Sequence, residues 1–317
     1  MNAYPKTLDE MEALFKDETA CLAYISALRW PLGFECPACG STKGWPMGNG
    51  LMLCGNCRRQ QSVLAGTLFH RTHLPMKTWF RAMWHLCAAK NGLSAQNLQR
   101  QIGLGSYNTA WLCLHKLRRV MVRPGRERLS GEVEVDETYV GGPAEGKRGR
   151  GAFGKQIVMV AVERKSVKDE RGAVRPIMGR IRLEVIPDVQ METLEKGLEA
   201  LVEPGSKVVT DGWAGYNSLE KNGYRRSIEI ASREELADIA LPNCHMVASL
   251  MKRWILGTLQ GSVGAEHLQD YLNEFTFRFN RRSSRSRGLL FHRLMELAVS
   301  AHPVFRKDII PQHIVGG

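Results

Sequence analysis

No stretch of this 317-residue chain is apolar for long enough to cross a bilayer, and its first twenty residues lack the apolar core of a signal peptide. Those absences predict a soluble, cytoplasmic protein without a membrane partner. Acidic residues are in deficit, 32 against 44 Lys and Arg, which gives a formal charge of +12. Such a balance points to a polyanionic partner, nucleic acid before an anionic membrane surface. Cysteine is too sparse and too unevenly placed for a disulfide framework. Of eight, four fall in two tight pairs, and Cys21, Cys87, Cys113 and Cys244 are scattered through helical or apolar surroundings. The chain also lacks a P-loop: its glycine-rich stretch has no Lys-Ser/Thr ending and no helix after it. What is present is 44% apolar residues, enough for a real core in two or three modules.

Residues 1–65 read as an N-terminal helical stretch, over 8–30, followed by a zinc ribbon. Cys36-Pro-Ala-Cys39 and Cys54-Gly-Asn-Cys57 each let two thiolates point at one ion from a tight turn. Together they close a four-thiolate structural zinc site, separated by fourteen residues that suffice for a hairpin. Residues 66–128 read as helical. Phe80, Met83, Trp84 and Cys87 share one face of a helix running from Pro75 towards Asn91 and Gly92. Ser94 caps a short helix, Gly103-Leu-Gly105 breaks it, and Ser106 caps a second. Two helices about a glycine turn make a helix-turn-helix-like pattern, in which Lys116, Arg118 and Arg119 of the second helix are candidate DNA contacts. An ordinary helical hairpin with a basic face is the alternative.

Residues 129–300 alternate as a mixed sheet covered by helices, with 301–317 as a tail. Glu132-Val-Glu-Val-Asp136 and Lys207-Val-Val-Thr-Asp211 each read as a strand that ends on an aspartate, where open α/β sheets carry functional groups. Between the first two strands a glycine-rich loop carries Lys147, Arg148, Arg150 and Lys155, suited to phosphates. Further on, Val247, Leu250, Met251, Trp254 and Ile255 form the apolar face of a helix. His245, Ser249 and Lys252 fall on its other side. Arg281 and Arg282 open a basic run expected to contact DNA, and Leu289 to Val299 is read as a final helix packing on this domain.

The combination resembles the ISXO-like insertion-sequence transposases of bacteria, in their DDHK variant. The matching pieces are the ribbon cysteines, Val135-Asp-Glu-Thr-Tyr-Val-Gly-Gly142, Thr210-Asp-Gly212 and His245-Met-Val-Ala-Ser-Leu-Met-Lys-Arg-Trp254. They continue through Gly257-Thr-Leu-Gln-Gly261 and Tyr271-Leu-Asn-Glu-Phe-Thr-Phe-Arg-Phe-Asn-Arg-Arg282. The resemblance implies an α+β multidomain chain with an RNase H-like catalytic domain. It also implies Asp136 and Asp211 as the first two acidic ligands. Where the family's usual third member is a glutamate with a basic residue seven positions on, His245 and Lys252 hold that spacing here. Glu134, Glu137 and Glu274 are other acids that rank below His245 as the third ligand.

The expected chemistry is phosphoryl transfer on double-stranded DNA, the element's ends and its target, by two Mg²⁺ or Mn²⁺ ions about 3.5–4 Å apart. Asp136 would bridge both ions, Asp211 would hold one and His245 the other, and Lys252 would hold a backbone phosphate. An imidazole ligand favours Mn²⁺ as a competent substitute. Two DNA ends must meet, so the resemblance implies a homo-oligomer. The alternative is a decayed transposase that binds DNA without catalysis.

Overall fold

The computed structural model describes residues 4–123, 125–141, 155–229, 240–261 and 263–310, and Lys147, Arg148 and Arg150 lie outside the described residues. The chain divides into two compact units, one comprising residues up to 124 and again from Ser283, the other Gly125–Arg282.

The first unit opens with α1 (Leu8–Leu14) and α2 (Glu18–Arg29), broken between them because Asp17 turns to cap the second helix through the amide of Ala20 at 2.9 Å. A three-stranded antiparallel sheet follows, β1 (Gly44–Pro46), β2 (Leu51–Cys54) and β3 (Gln60–Ser62). Helix α3 (Met76–Ala88) buries the expected Phe80, Met83, Trp84 and Cys87 and ends short of Asn91. Its first amide, at Met76, is accepted by the carboxylate of Glu18 at 2.9 Å, a cap that Pro75 cannot supply. Helix α4 (Ala95–Ile102) is capped by Ser94, and Gly103 stops it in the left-handed region at φ 69°. Helix α5 (Tyr107–Val120) then begins at Ser106, whose side chain makes no capping bond.

In the second unit, β4 (Glu132–Val140), β5 (Gln156–Lys168) and β6 (Val174–Ile186) form an antiparallel meander. Helix α6 (Met191–Leu201) returns the chain to β7 (Lys207–Thr210), which lies parallel to β4 on its other side; β8 (Arg225–Ile228) is parallel to β7. The order β6-β5-β4-β7-β8, three antiparallel strands followed by two parallel ones, is the RNase H-like arrangement. Strand alternation sorts the sheet cleanly. Val133, Val135, Met159 and Ala161 face α6, whereas Val158, Val160, Val162 and Val209 face α7 (Pro242–Leu259) and α8 (Leu268–Phe279).

The chain then returns to the first unit as α9 (Arg287–Ser300) and the short α10 (Arg306–Ile309). The domain boundary expected at residue 300 therefore differs from the observed division after Arg282. The helix read as packing on the sheet domain packs within the first unit. Phe291 of α9 sits in an aromatic cluster with Phe15, Phe80 and Trp84 at centroid distances of 5.6–6.0 Å, and His292 shares a 2.6 Å hydrogen bond with Tyr24. Amphipathic periodicity names the buried face of a helix but not which core receives it.

Candidate catalytic and metal sites

Asp136 lies in the middle of β4, not at its end as its sequence context implied. Pairing with β5 carries β4 on through Val140, opposite Gln156. Strand β7 is shorter than β4. In the parallel ladder the last pair is Glu134 with Val209; Asp136 lies two residues further along β4, and Asp211 one residue beyond the last residue of β7. Strand alternation puts Asp136, like Glu134, on the α7 face, and Asp211 leaves β7 in the turn that follows it. Asp211 is shaped by its own turn, its Oδ1 accepting the amide of Trp213 at 2.9 Å.

Helix α7 brings the histidine. Val247, Met251 and Ile255 bury its apolar stripe against the sheet, which leaves His245, Ser249 and Lys252 along the opposite margin. His245 Nε2 lies 3.3 Å from Asp136 Oδ2, with the imidazole about two-fifths exposed. Asp136, His245, Ser249 and Lys252 line one open cleft of about 390 Å³. Burial and the nearby Lys155 ammonium lower the pKa of Lys252, with the Asp136 carboxylate opposing them. Three of the four expected catalytic residues thus share a cleft. Asp211 is not among its lining residues and does not join Asp136 and His245 in a group whose donor atoms all lie within 4.8 Å of one another.

The donor set fits a hard divalent cation at the Asp136–His245 end. Two adjacent ligands of an octahedral ion at 2.0–2.1 Å stand roughly 3 Å apart, close to the observed 3.3 Å. Ligands of different ions in a two-metal site need not approach so closely, which is compatible with the position of Asp211. Two of the competing acids, Glu134 and Glu137, accept hydrogen bonds from protein groups. Glu137 lines the same cleft as Asp136 and His245 and accepts the hydroxyl of the buried Tyr216. Glu134 is fully buried and accepts from the Asn243 and Cys244 amides and from Arg164 Nε. Glu274 is fully buried in α8. Sequence reasoning missed the part played by Glu134, although the two-residue period of β4 puts it on the same face as Asp136.

The four ribbon cysteines do converge. Their sulfurs all lie within 4.8 Å of one another, Cys36 Sγ 3.7 Å from Cys57 and Cys39 Sγ 3.6 Å from Cys54. Those are the edges of a tetrahedron with metal–sulfur bonds of about 2.3 Å, the geometry of structural zinc. Each turn closes through a left-handed residue, Gly40 at φ 68° and Arg58 at φ 58°. Amide donation from Cys57 and then Asn56 lowers the pKa of the Cys54 thiol, which favours the thiolate a metal needs.

The expected DNA contacts divide. Arg118 is 1% exposed and donates to the Leu93 carbonyl at 3.4 Å, so it belongs to the core of the first unit and cannot reach DNA. Arg119 donates to the Asp308 carbonyl at 2.5 Å, and Lys116 is half-buried with its pKa lowered by that burial. Only the first turn of α5, Tyr107 and Asn108, is well exposed. Arg281 lies over the Phe277 ring at 4.0 Å. Arg282 lies over Phe279 at 4.2 Å and donates to the carbonyls of Met178 and Gly179. Its donors hold β6 to the end of α8.

An ISXO2-like transposase domain matches residues 128–280, and a transposase zinc-ribbon domain matches residues 16–60. A Halobacterium salinarum protein described as an uncharacterized protein in transposable element ISH50 is 26% identical over 287 residues, covering 83% of this chain and 91% of that protein. The crystal structure of the Mos1 strand transfer complex aligns over 64% of this chain and 75% of that one, at 12% identity and a TM-score of 0.22, too low to carry weight. Ribbon and sheet domain both match models of one transposase group and together span well over half of the chain, so the protein belongs to the ISXO2-like insertion-sequence transposases.

Proposed function

We propose that the protein binds the ends of its element and catalyses metal-dependent strand cleavage and strand transfer, with Asp136, Asp211 and His245 as metal ligands. The observation that carries this reading is the 3.3 Å approach of His245 to Asp136 in a cleft that also holds Lys252. An imidazole and a carboxylate that meet from a helix and a strand supply two donors of the kind a divalent metal site uses. Divalent cations held by Asp136, Asp211 and His245 would supply activation of the attacking oxygen and stabilisation of the leaving one. The chain's own part is positional. Asp136 and Asp211 present carboxylates from adjacent strands, and α7 brings the imidazole to the first of them. Lys252 neutralises the phosphate that carries the developing charge.

The ribbon and the α4–α5 pair are the proposed DNA-reading parts, with the exposed first turn of α5 at the groove. Lys116, Lys155 and Arg281 are proposed phosphate contacts, and juxtaposing two ends calls for a homo-oligomer. The test is an end-joining assay with labelled DNA from the element's ends, in Mg²⁺ or Mn²⁺, on wild type and on Asp136→Ala, Asp211→Ala and His245→Ala. Each variant is expected to lose joining by at least about 100-fold while still binding the ends. Activity that survives in His245→Ala alone would move the third ligand elsewhere. Tight binding with no cleavage by wild type in either metal would favour the non-catalytic reading.

A further inference from the structure

We propose that Glu134 is a positioning residue: from β4, its buried carboxylate caps the first turn of α7 and thereby fixes His245 against Asp136. The proposal rests on the reading of Asp136 and His245 as metal ligands.

The first amides of a helix have no partner within it, and a local Ser, Thr, Asp or Asn usually supplies one. Helix α7 has no such residue. Its N-cap is Leu241, which makes no side-chain cap, and Pro242 follows. The acceptor comes instead from a strand more than a hundred residues earlier. Glu134 Oε2 accepts the amides of Asn243 at 2.9 Å and Cys244 at 3.0 Å, and Oε1 accepts Asn243 Nδ2 at 2.6 Å. A negative charge there also meets the positive end of the helix dipole. Arg164 Nε holds the same carboxylate at 2.7 Å, so the charge is buried in a fully partnered state.

The arrangement works as a pair of rungs between one strand and one helical turn. Glu134 and Asp136 are two residues apart on the same face of β4, and Cys244 and His245 are consecutive in α7. One rung is the cap and the other is the 3.3 Å approach of His245 Nε2 to Asp136 Oδ2. If the first rung is removed, the second loses part of its registration: no local side chain caps the helix start, and the other polar tie of that turn to the sheet is Cys244 Sγ, which donates to the Val160 carbonyl at 3.4 Å. The glutamate touches neither metal nor DNA in this account; it acts through the histidine.

Two variants test the idea in the full chain. Glu134→Gln places an amide NH₂ among donors that need an acceptor. Glu134→Asp keeps the charge for Arg164 but withdraws the oxygens by one methylene, so it remains informative if Glu134→Gln fails to fold. Amide hydrogen exchange of the metal-free protein reads the cap, and Mn²⁺ binding followed by electron paramagnetic resonance reads the site. Faster exchange confined to the start of α7, together with an affinity for Mn²⁺ about tenfold weaker, is the expected result. Unchanged exchange overturns the proposal, as does Mn²⁺ affinity equal to wild type when the cap has loosened. Wild-type protein that binds no Mn²⁺ at this cleft would instead overturn the reading of Asp136 and His245, and the role assigned to Glu134 with it.

Discussion

Glu163 shows how a single carboxylate ties the sheet of the second unit to pH. It is 1% exposed on β5, where burial alone would raise its pKa. The Arg180 guanidinium at 2.6 Å and the Arg180 amide at 3.0 Å overcome burial and hold it at about 2. A depressed pKa contributes stability that is fully present above the ordinary carboxylate value, near 4.5, and is lost as pH falls towards 2. Glu163→Gln should therefore be less stable than wild type at pH 7, by roughly 2–3 kcal/mol. Denaturant unfolding at stepped pH should find that gap closing between about pH 4.5 and pH 2. A gap that is constant across the range would mean that shape, not charge, sets the cost. That Asp136 and His245 lie in one cleft could be expected at this scale, because a carboxylate on a β-branched run and a histidine on the polar side of a helix stand out by type and spacing. Arg118 was misread for the same reason: a basic residue on a helix looks solvated until the neighbour that buries it is known.

Among the elements, the ribbon was the most legible, since two Cys-x-x-Cys turns specify their partner by chemistry alone. The β1–β2–β3 sheet is small and strands of three or four residues bury little, so the metal must supply much of its stability. A single bound zinc per chain is expected by metal analysis. Its removal by a chelator should abolish ribbon order, read by hydrogen exchange over residues 36–60, while exchange in β4 and β5 is unchanged. Oxidised cysteines and no zinc in protein purified from a reducing cytoplasm would contradict this. Helix α7 presents the opposite case. Its apolar stripe was readable from the heptad-like spacing, whereas its cap was not, because Glu134 is distant in sequence and reaches the helix only through the pairing of strands. Strand β4 was legible as a strand but not in length, since its continuation to Val140 depends on the partner strand β5.

Taken whole, the molecule separates its labours. The first unit holds the four-cysteine cluster and the helical pair; the second holds the sheet whose adjacent strands β4 and β7 carry Asp136 and lead into Asp211. The charge of +12 marked the class of partner, and the motif spacing marked the family, before any coordinate. The return of α9 to the first unit was hidden, because an aromatic cluster built from Phe15, Phe80 and Phe291 joins residues from both ends of the chain. The central claim is that a histidine completes a divalent metal site begun by two aspartates. Crystals grown with Mn²⁺ and measured at its absorption edge test that claim most directly. The account predicts an anomalous peak bonded to both Asp136 Oδ2 and His245 Nε2 at about 2.2 Å. Mn²⁺ held by carboxylates alone, with His245 still hydrogen-bonded to Asp136 or turned to solvent, would contradict it.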